Sequence, residues 1–385
     1  MQNMESTPSG VRVLHVGNVL LDRPIARLRT DAPENRRQEL RDSFSRLLHT
    51  ASERGVRLVL ISGNLFDNAY VTNDTVMFLA SLFSSYPSCH FVIAPGPKDA
   101  YVDDSVYRSG RFGRNVHIFA EENLSRFDFD DLGVTVYGWA YTSAEHTFSP
   151  LSGKRVVLTS HLSLVCGYGS AESDEEGICP LRASDVSSFG AHYVALSNTG
   201  AHEGFLRYGS TVLSSSGCFE CTSFSTKEEG GVNFVSAQPW EDGAWRLSAK
   251  RVVTGEYRYA EECIDVSHLF SEGDVVPLLR ERIRERGYGG KTALRVYLRG
   301  SVSPEASFLL LGGAADYGVY ALEVVDQTVP TDGMEELLHD MSAKGELYRH
   351  LYRSMTEGTP ESCARAARTF RVGYLALLGK DFTRH

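Results

Sequence analysis

The chain has 385 residues, 42% of them hydrophobic and 23% charged, which is ordinary for a folded globular protein and excludes disordered and fibrous classes. Lys and Arg number 39 against 49 Asp and Glu. The resulting net charge of −10 argues against indiscriminate nucleic-acid binding and leaves a local basic groove as the route to DNA. In chain order, VRVLHV (11–16) reads as a first buried strand, followed by a polar loop and a helical pattern over 34–54. Leu40, Phe44, Leu47, Leu48 and Ala51 give that helix one apolar face. LVLIS follows as a buried strand running into the turn of LVLISGNLFDN (58–68). A helix is predicted over 73–84, and a short strand over 90–94 enters the turn PGPKD. Strand, helix, strand, helix, strand describes a βαβαβ unit with a parallel sheet and loops gathered at the strands' carboxyl ends.

From residue 116 the texture changes to short strands: VHIF, SRFDF, VTVYGWA, RVVLTSH, HYVALS, FLRYGS and GVNFVS. They are expected to form a second sheet packed on the first, with residues 167–177 as an exposed loop. Beyond 251, a helix over 275–286, the strand TALRVYLRG, a helix over 306–311 and the strand GVYALEVV suggest a small α/β module. Residues 334–378 read as helical, with Leu347, Leu351, Phe370, Tyr374 and Leu377 as apolar positions that either pack on the preceding domain or accept a partner's helices. The expected domains are 11–250, 251–330 and 331–385. The opening MQNMESTPSG has no leader-like basic or apolar region, and no stretch reaches the roughly 18 apolar residues of a membrane span, so a cytoplasmic protein is expected. Seven cysteines without framework spacing imply reduced thiols. The C-x-x-C of Cys218 and Cys221 has no second pair at zinc-site spacing and no thioredoxin-like context, which disfavours a zinc or redox role.

Several segments carry a resemblance. LHVGNVLLDRPI (14–25) resembles L-H-x-x-D-x-H-L-D-x-P, SGNLFD resembles G-D-x-x-D, and APGPKDAY (94–101) resembles P-G-N-H-D. LTSHLS (158–163) resembles a strand ending in a metal-binding His, and YVALSNTGAHEGF (193–205) resembles Y-V-A-L-G-H-x-H. With 252–269 and 343–351, these make the whole chain similar to the SbcD-like DNA repair exonucleases, YhaO-type, of the calcineurin-like metallophosphoesterases. The resemblance implies an α/β (α+β) fold: a two-layered phosphoesterase sandwich with helices outside, an α/β capping domain and a helical C-terminal segment.

In that family two divalent ions, commonly manganese, activate water for phosphodiester cleavage. Carried over by position, the first-strand Asp is Asn18 and its following His is Leu20, and the bridging Asp is Asn64. The Asn and His of P-G-N-H-D are Pro97 and Lys98, and its Asp survives as Asp99. The metal His of the next strand survives as His161, while the two His of G-H-x-H are Asn198 and Gly200. Leu20, Pro97 and Gly200 offer no ligating side-chain atom, so no metal cofactor is expected. The resemblance then implies a catalytically inactive homologue acting as a scaffold or regulatory subunit of a DNA repair complex. Its partners would be an SbcC-like coiled-coil ATPase bound through the C-terminal region and a second copy of the chain, with weak or no DNA binding. The alternative is an active phosphodiesterase, manganese-dependent, with a rebuilt site.

Other polar residues have structural readings. Asp22, Asp67 and Asp99 are expected to be satisfied loop carboxylates, His161 a hydrogen-bonded residue at a strand end, and His15 part of the core or of the site's support. His192 and His202 are assigned no role. The run RERIRER (280–286) reads as a solvated helix face. Lys98 places an ammonium in the crevice, where it either neutralises Asp67 or Asp99 or holds a phosphate group.

Overall fold

The computed structural model describes residues 10–23, 36–157, 160–171, 178–198, 204–224, 229–240, 244–267, 271–302, 311–330, 334–357 and 359–379, with 269 and 308. They fall into two compact units, divided between Tyr257 and Arg258. The first opens with β1 (Val11–Val16), α1 (Arg36–Glu53), β2 (Leu58–Ile61), α2 (Asn73–Ser84), β3 (His90–Ile93) and β4 (Val116–Ile118). It continues through β5 (Ser125–Phe129), β6 (Val134–Gly138), β7 (Leu162–Tyr168), β8 (Ser170–Ala171), β9 (Pro180–Leu181), α3 (Ala183–Phe189), β10 (Tyr193–Ser197), β11 (Leu206–Tyr208), β12 (Thr211–Ser215), β13 (Gly231–Pro239) and β14 (Trp245–Val253).

Two six-stranded sheets result, in the orders β14-β13-β1-β2-β3-β4 and β11-β12-β10-β7-β6-β5. Strands β1 to β4 run parallel, with β13 and β14 added antiparallel at one edge. Strands β6, β7, β10 and β12 are also parallel, flanked by antiparallel β5 and β11. Parallel neighbours need long crossovers, and α1, α2 and α3 supply those from β1 to β2, β2 to β3 and β7 to β10. Alternation along β1 and β2 sends Val13, Leu58 and Leu60 inward against Val136, Leu164 and Ala195 of the other sheet. Leu14, Val16, Val59 and Ile61 face the opposite way, onto Leu40, Phe44, Leu47, Leu48 and Ala51 of α1. Val165, Val194 and Leu196 likewise meet Val186 and Phe189 of α3. The unit is a helix–sheet–sheet–helix sandwich, the two-layered α/β fold class expected from the sequence.

Three assignments change. VHIF and GVNFVS, expected in the second sheet, are β4 and the start of β13, and both belong to the first. The strand expected over RVVLTSH instead begins at Leu162, because the apolar run continues through LSLVCGY and all seven residues of that stretch are buried. Gly167, Tyr168 and Ser170–Ala171, expected in an exposed loop, are strand residues, while 172–177 lie outside the described residues.

The second unit contains β15 (Arg258–Asp265), α4 (Glu272–Arg286), β16 (Thr292–Arg299), β17 (Ser301–Val302), α5 (Ala314–Tyr317), β18 (Ala321–Asp326), β19 (Val329–Pro330), α6 (Met334–His339), α7 (Ala343–Thr356) and α8 (Pro360–Leu377). Strands β15, β16 and β18 form a parallel sheet. Val275, Leu279 and Ile283, one face of α4, pack on Leu294, Val296 and Leu298. The helix expected over 306–311 falls largely outside the described residues, and its described members Phe308 and Leu311 are not helical. In the tail, Leu347, Leu351, Phe370 and Tyr374 join Met334, Leu337 and Tyr348 in one cluster. Those apolar positions are therefore taken up within the helical segment itself. Leu377 is half exposed.

Candidate functional site

The loops leaving β1, β2 and β3 meet the loop leaving β10 at the carboxyl ends of both sheets, where an open α/β sheet presents its crevice. Asn18 (φ 48°), Leu20 (53°), Asp22 (64°) and Asn64 (55°) all adopt the left-handed backbone. Asn and Asp tolerate that region, whereas for Leu20 it is uncommon, and local strain of this kind marks a tightly specified turn. The strain is held by a ladder between the two turns: Asn18 N–H to Gly63 O (3.0 Å), Leu20 N–H to Asn64 O (2.9 Å) and Leu21 N–H to Leu65 O (3.0 Å). Gly17 is required beneath them, because a Cβ there would lie 1.7 Å from Ser197 Oγ.

The groups at the crevice form a continuous chain of amide hydrogen bonds. Lys98 N–H donates to Asn64 Oδ1 (2.9 Å), Asn64 Nδ2 to Asn18 Oδ1 (2.8 Å), and Asn18 Nδ2 to Asn198 O (2.6 Å). Asn198 Oδ1 in turn accepts from Ser215 Oγ at 3.4 Å. All three asparagines are buried. Asn18 and Asn64 are thus neutral, and each spends its oxygen on an N–H donor.

Asp99 is fully buried and faces away from this chain. Its carboxylate accepts from Asn64 N–H (2.8 Å), Leu65 N–H (2.8 Å), Gly96 N–H (2.7 Å) and Tyr107 Oη (2.6 Å). Burial pushes its pKa up to about 6, against the pull of the Tyr107 hydroxyl and the three amides. It ties the β2 turn to the β3 turn. Asp22 does similar work nearby, accepting from Arg41 Nη2 (2.8 Å), from Thr72 N–H and Oγ1 (3.0 Å each) and from Thr75 Oγ1. Burial would raise its pKa, but Thr75, Thr72 and Arg41 outweigh that and hold it below the usual carboxylate range. Asp67 pairs with Arg23 at 4.0 Å and accepts from Ala69 N–H at 3.1 Å. Lys98 is exposed, and the partners of Asp67 and Asp99 are other groups, so the expected neutralisation by Lys98 is corrected.

His161 is not at the crevice. It immediately precedes β7, with Nδ1 3.2 Å from Thr135 Oγ1 and Nε2 3.8 Å from Asp130 Oδ1, at the amino end of the parallel strands. The residue that ends β7 beside the crevice is Tyr168, 0% exposed, whose ring lies against Gly63 and Gly96. A Cβ on Gly63 would approach that ring to 2.7 Å and one on Gly96 to 3.0 Å. Sequence reasoning missed Tyr168 and Tyr107. The signal for Tyr168 is the Gly169 that follows LSLVCGY and closes the strand; nothing local marks Tyr107.

The remaining candidates are structural. His15 lies between the sheets, with Nε2 2.9 Å from both Ser62 Oγ and Leu196 O and Nδ1 2.9 Å from Tyr193 Oη. His192 accepts from Ser163 N–H at 3.0 Å. His202 and Gly200 lie outside the described residues. In RERIRER, Arg282 and Arg286 embrace the buried Glu262 at 3.0 and 3.3 Å, so two of its four guanidiniums are anchored within the unit.

A two-metal centre needs several anionic oxygens and imidazoles aimed at shared points. The donor set at this crevice does not fit one: Asn18 and Asn64 are bonded to each other, Asp99 is saturated by protein donors, and Pro97 has no ligating atom. Among the described residues no three His, Cys, Asp or Glu side chains converge on a metal-sized point. No helix among them is long and apolar enough to cross a membrane.

No family model matches the chain, and no curated protein matches it. Among solved structures, TT1561 of Thermus thermophilus is 11% identical with a TM-score of 0.35, covering 62% of this chain and 99% of its own. Vps29 of Chaetomium thermophilum is 14% identical with a TM-score of 0.26, covering 63% and 97%. Likenesses this distant carry no inference about activity. The architecture rests on the strand order itself, two six-stranded sheets with helices outside them.

Proposed function

We propose that this chain is a non-catalytic member of the SbcD-like, YhaO-type exonucleases that keeps the phosphoesterase fold as a scaffold or regulatory subunit of a DNA repair complex. The observation that carries the reading is the 2.8 Å hydrogen bond from Asn64 to Asn18, which joins two side chains that an active member would aim together at metal ions. Neutral amides supply none of the negative charge that offsets the dehydration of two divalent cations. The Asp99 carboxylate is committed to loop architecture. No metal cofactor is therefore assigned, and the protein acts by binding.

The binding role rests on the sequence resemblance. It assigns an SbcC-like coiled-coil ATPase to the C-terminal region and self-association to the phosphoesterase domain, with little DNA affinity at a net charge of −10. The test is a manganese-dependent nuclease assay of the purified chain on single- and double-stranded DNA, run beside co-purification with the cognate ATPase. Co-purification without cleavage supports the reading. Manganese-dependent cleavage that tracks the chain through purification overturns it and establishes a rebuilt active site.

A further inference from the structure

Cys218 and Cys221 stand with their Sγ atoms 3.9 Å apart, and the two residues between them, Phe219 and Glu220, are both held by the surrounding structure. Cys218 O accepts from Gly231 N–H at 2.8 Å. Phe219 is fully buried in the core, edge-on to Phe44 with ring centroids 5.8 Å apart, and its carbonyl accepts from Thr254 Oγ1 at 3.2 Å. The Glu220 carboxylate accepts from Tyr257 N–H (3.0 Å), Glu256 N–H (3.2 Å) and Arg36 Nη2 (3.4 Å), and the Arg36 guanidinium lies 3.3 Å from the centre of the Tyr257 ring. With the two intervening residues fixed, the thiols are held together. The other five cysteines have no thiol at hydrogen-bond range among the described residues.

We propose that Cys218 and Cys221 form a reversible redox-modification site that a low-molecular-weight disulfide such as oxidised glutathione converts to an intramolecular disulfide. Bond formation needs an S–S distance of about 2.05 Å, a closure of roughly 2 Å that side-chain rotation supplies once one sulfur is activated. Cys218 is partly exposed and Cys221 is buried, which sets the order of events. The Cys218 thiolate attacks one sulfur of the external disulfide, whose S–S bond breaks and releases one thiol that takes up the proton. Cys221 then attacks Cys218 Sγ in the mixed disulfide, expelling the second external thiol. Two protein thiols are oxidised and one external disulfide is reduced to two thiols. The Cys218 thiol donates a hydrogen bond to Cys221, which together with burial raises the Cys218 pKa and, against burial, holds Cys221 below the usual thiol range, so access and not acidity puts Cys218 first. The loop is also joined to the crevice, since Gly217 O accepts from Asn18 Nδ2 and Phe219 N–H donates to Asn18 O, each at 3.4 Å.

The full chain is equilibrated across a series of oxidised-to-reduced glutathione ratios, quenched in acid, denatured, alkylated with N-ethylmaleimide and weighed intact. The expected result at oxidising ratios is a species that loses two hydrogens and alkylates at five of its seven cysteines, reverting to seven with dithiothreitol. Peptide mapping should place the link between Cys218 and Cys221. Cys221→Ser, which cannot resolve the first adduct, should accumulate glutathione on Cys218. Seven alkylated cysteines at every ratio, or a link between any other pair, overturns the proposal.

Discussion

Asn64 Nδ2 donates to Asn18 Oδ1 across 2.8 Å, so the ends of β1 and β2 are bonded to each other directly. Two carboxylates that close would need either a cation between them or a shared proton, because otherwise both cannot remain ionised. Asn64→Asp should remove a buried donor and set two acceptors against each other, at a cost of about 1–3 kcal/mol. Asn18→Asp/Asn64→Asp should cost more than the sum of the single changes. Urea denaturation of the four proteins measures both, and strict additivity would argue against direct coupling.

Asp99→Ala leaves three backbone amides and the Tyr107 hydroxyl without an acceptor in a fully buried place. Its expected cost is about 3–5 kcal/mol, against about 1 kcal/mol for Tyr107→Phe. Chemical denaturation of each variant distinguishes this from a loosely held loop residue, for which both values would fall below about 1 kcal/mol.

The two buried carboxylates should give opposite pH signatures. Asp99 has its folded-state pKa raised from 3.8 to about 6, so its contribution to stability is full below 3.8 and lost as pH rises to about 6. Asp22 is lowered from 3.8, so its contribution is present above 3.8 and lost as pH falls through its folded value. Relative to Asp99→Asn, the wild type should lose stability between pH 4 and pH 6. Relative to Asp22→Asn, it should lose stability only on acidification below about pH 4. Denaturant midpoints measured across this range check both signs.

Lys98→Ala should change stability by less than about 0.5 kcal/mol, since the ammonium is exposed and only the backbone N–H of Lys98 enters the amide chain. A thermal shift larger than a few degrees would restore the internal ion pair.

Much of the fold was legible because β1, α1, β2, α2 and β3 each carry a period that burial imposes. The five apolar residues read as one face of α1 are the five that meet the sheet. Legibility failed at β7, where a strand buried on both faces has no alternation to set its ends, and the run from 155 to 168 could start early or late. That error carried His161 to the wrong end of the sheet and hid Tyr168. The neutral asparagines at 18 and 64 could be read from the sequence. Their direct bond could not, because it depends on two left-handed turns lying side by side.

The central claim is that this crevice is closed by its own amides and binds no metal pair. The most direct measurement is equilibrium dialysis of the purified chain against manganese, with metal and protein quantified in the same sample. The result expected is less than about one-tenth of an ion per chain, unchanged by His161→Ala, since a pair of ions needs ligands this site lacks. A stoichiometry near two would contradict it.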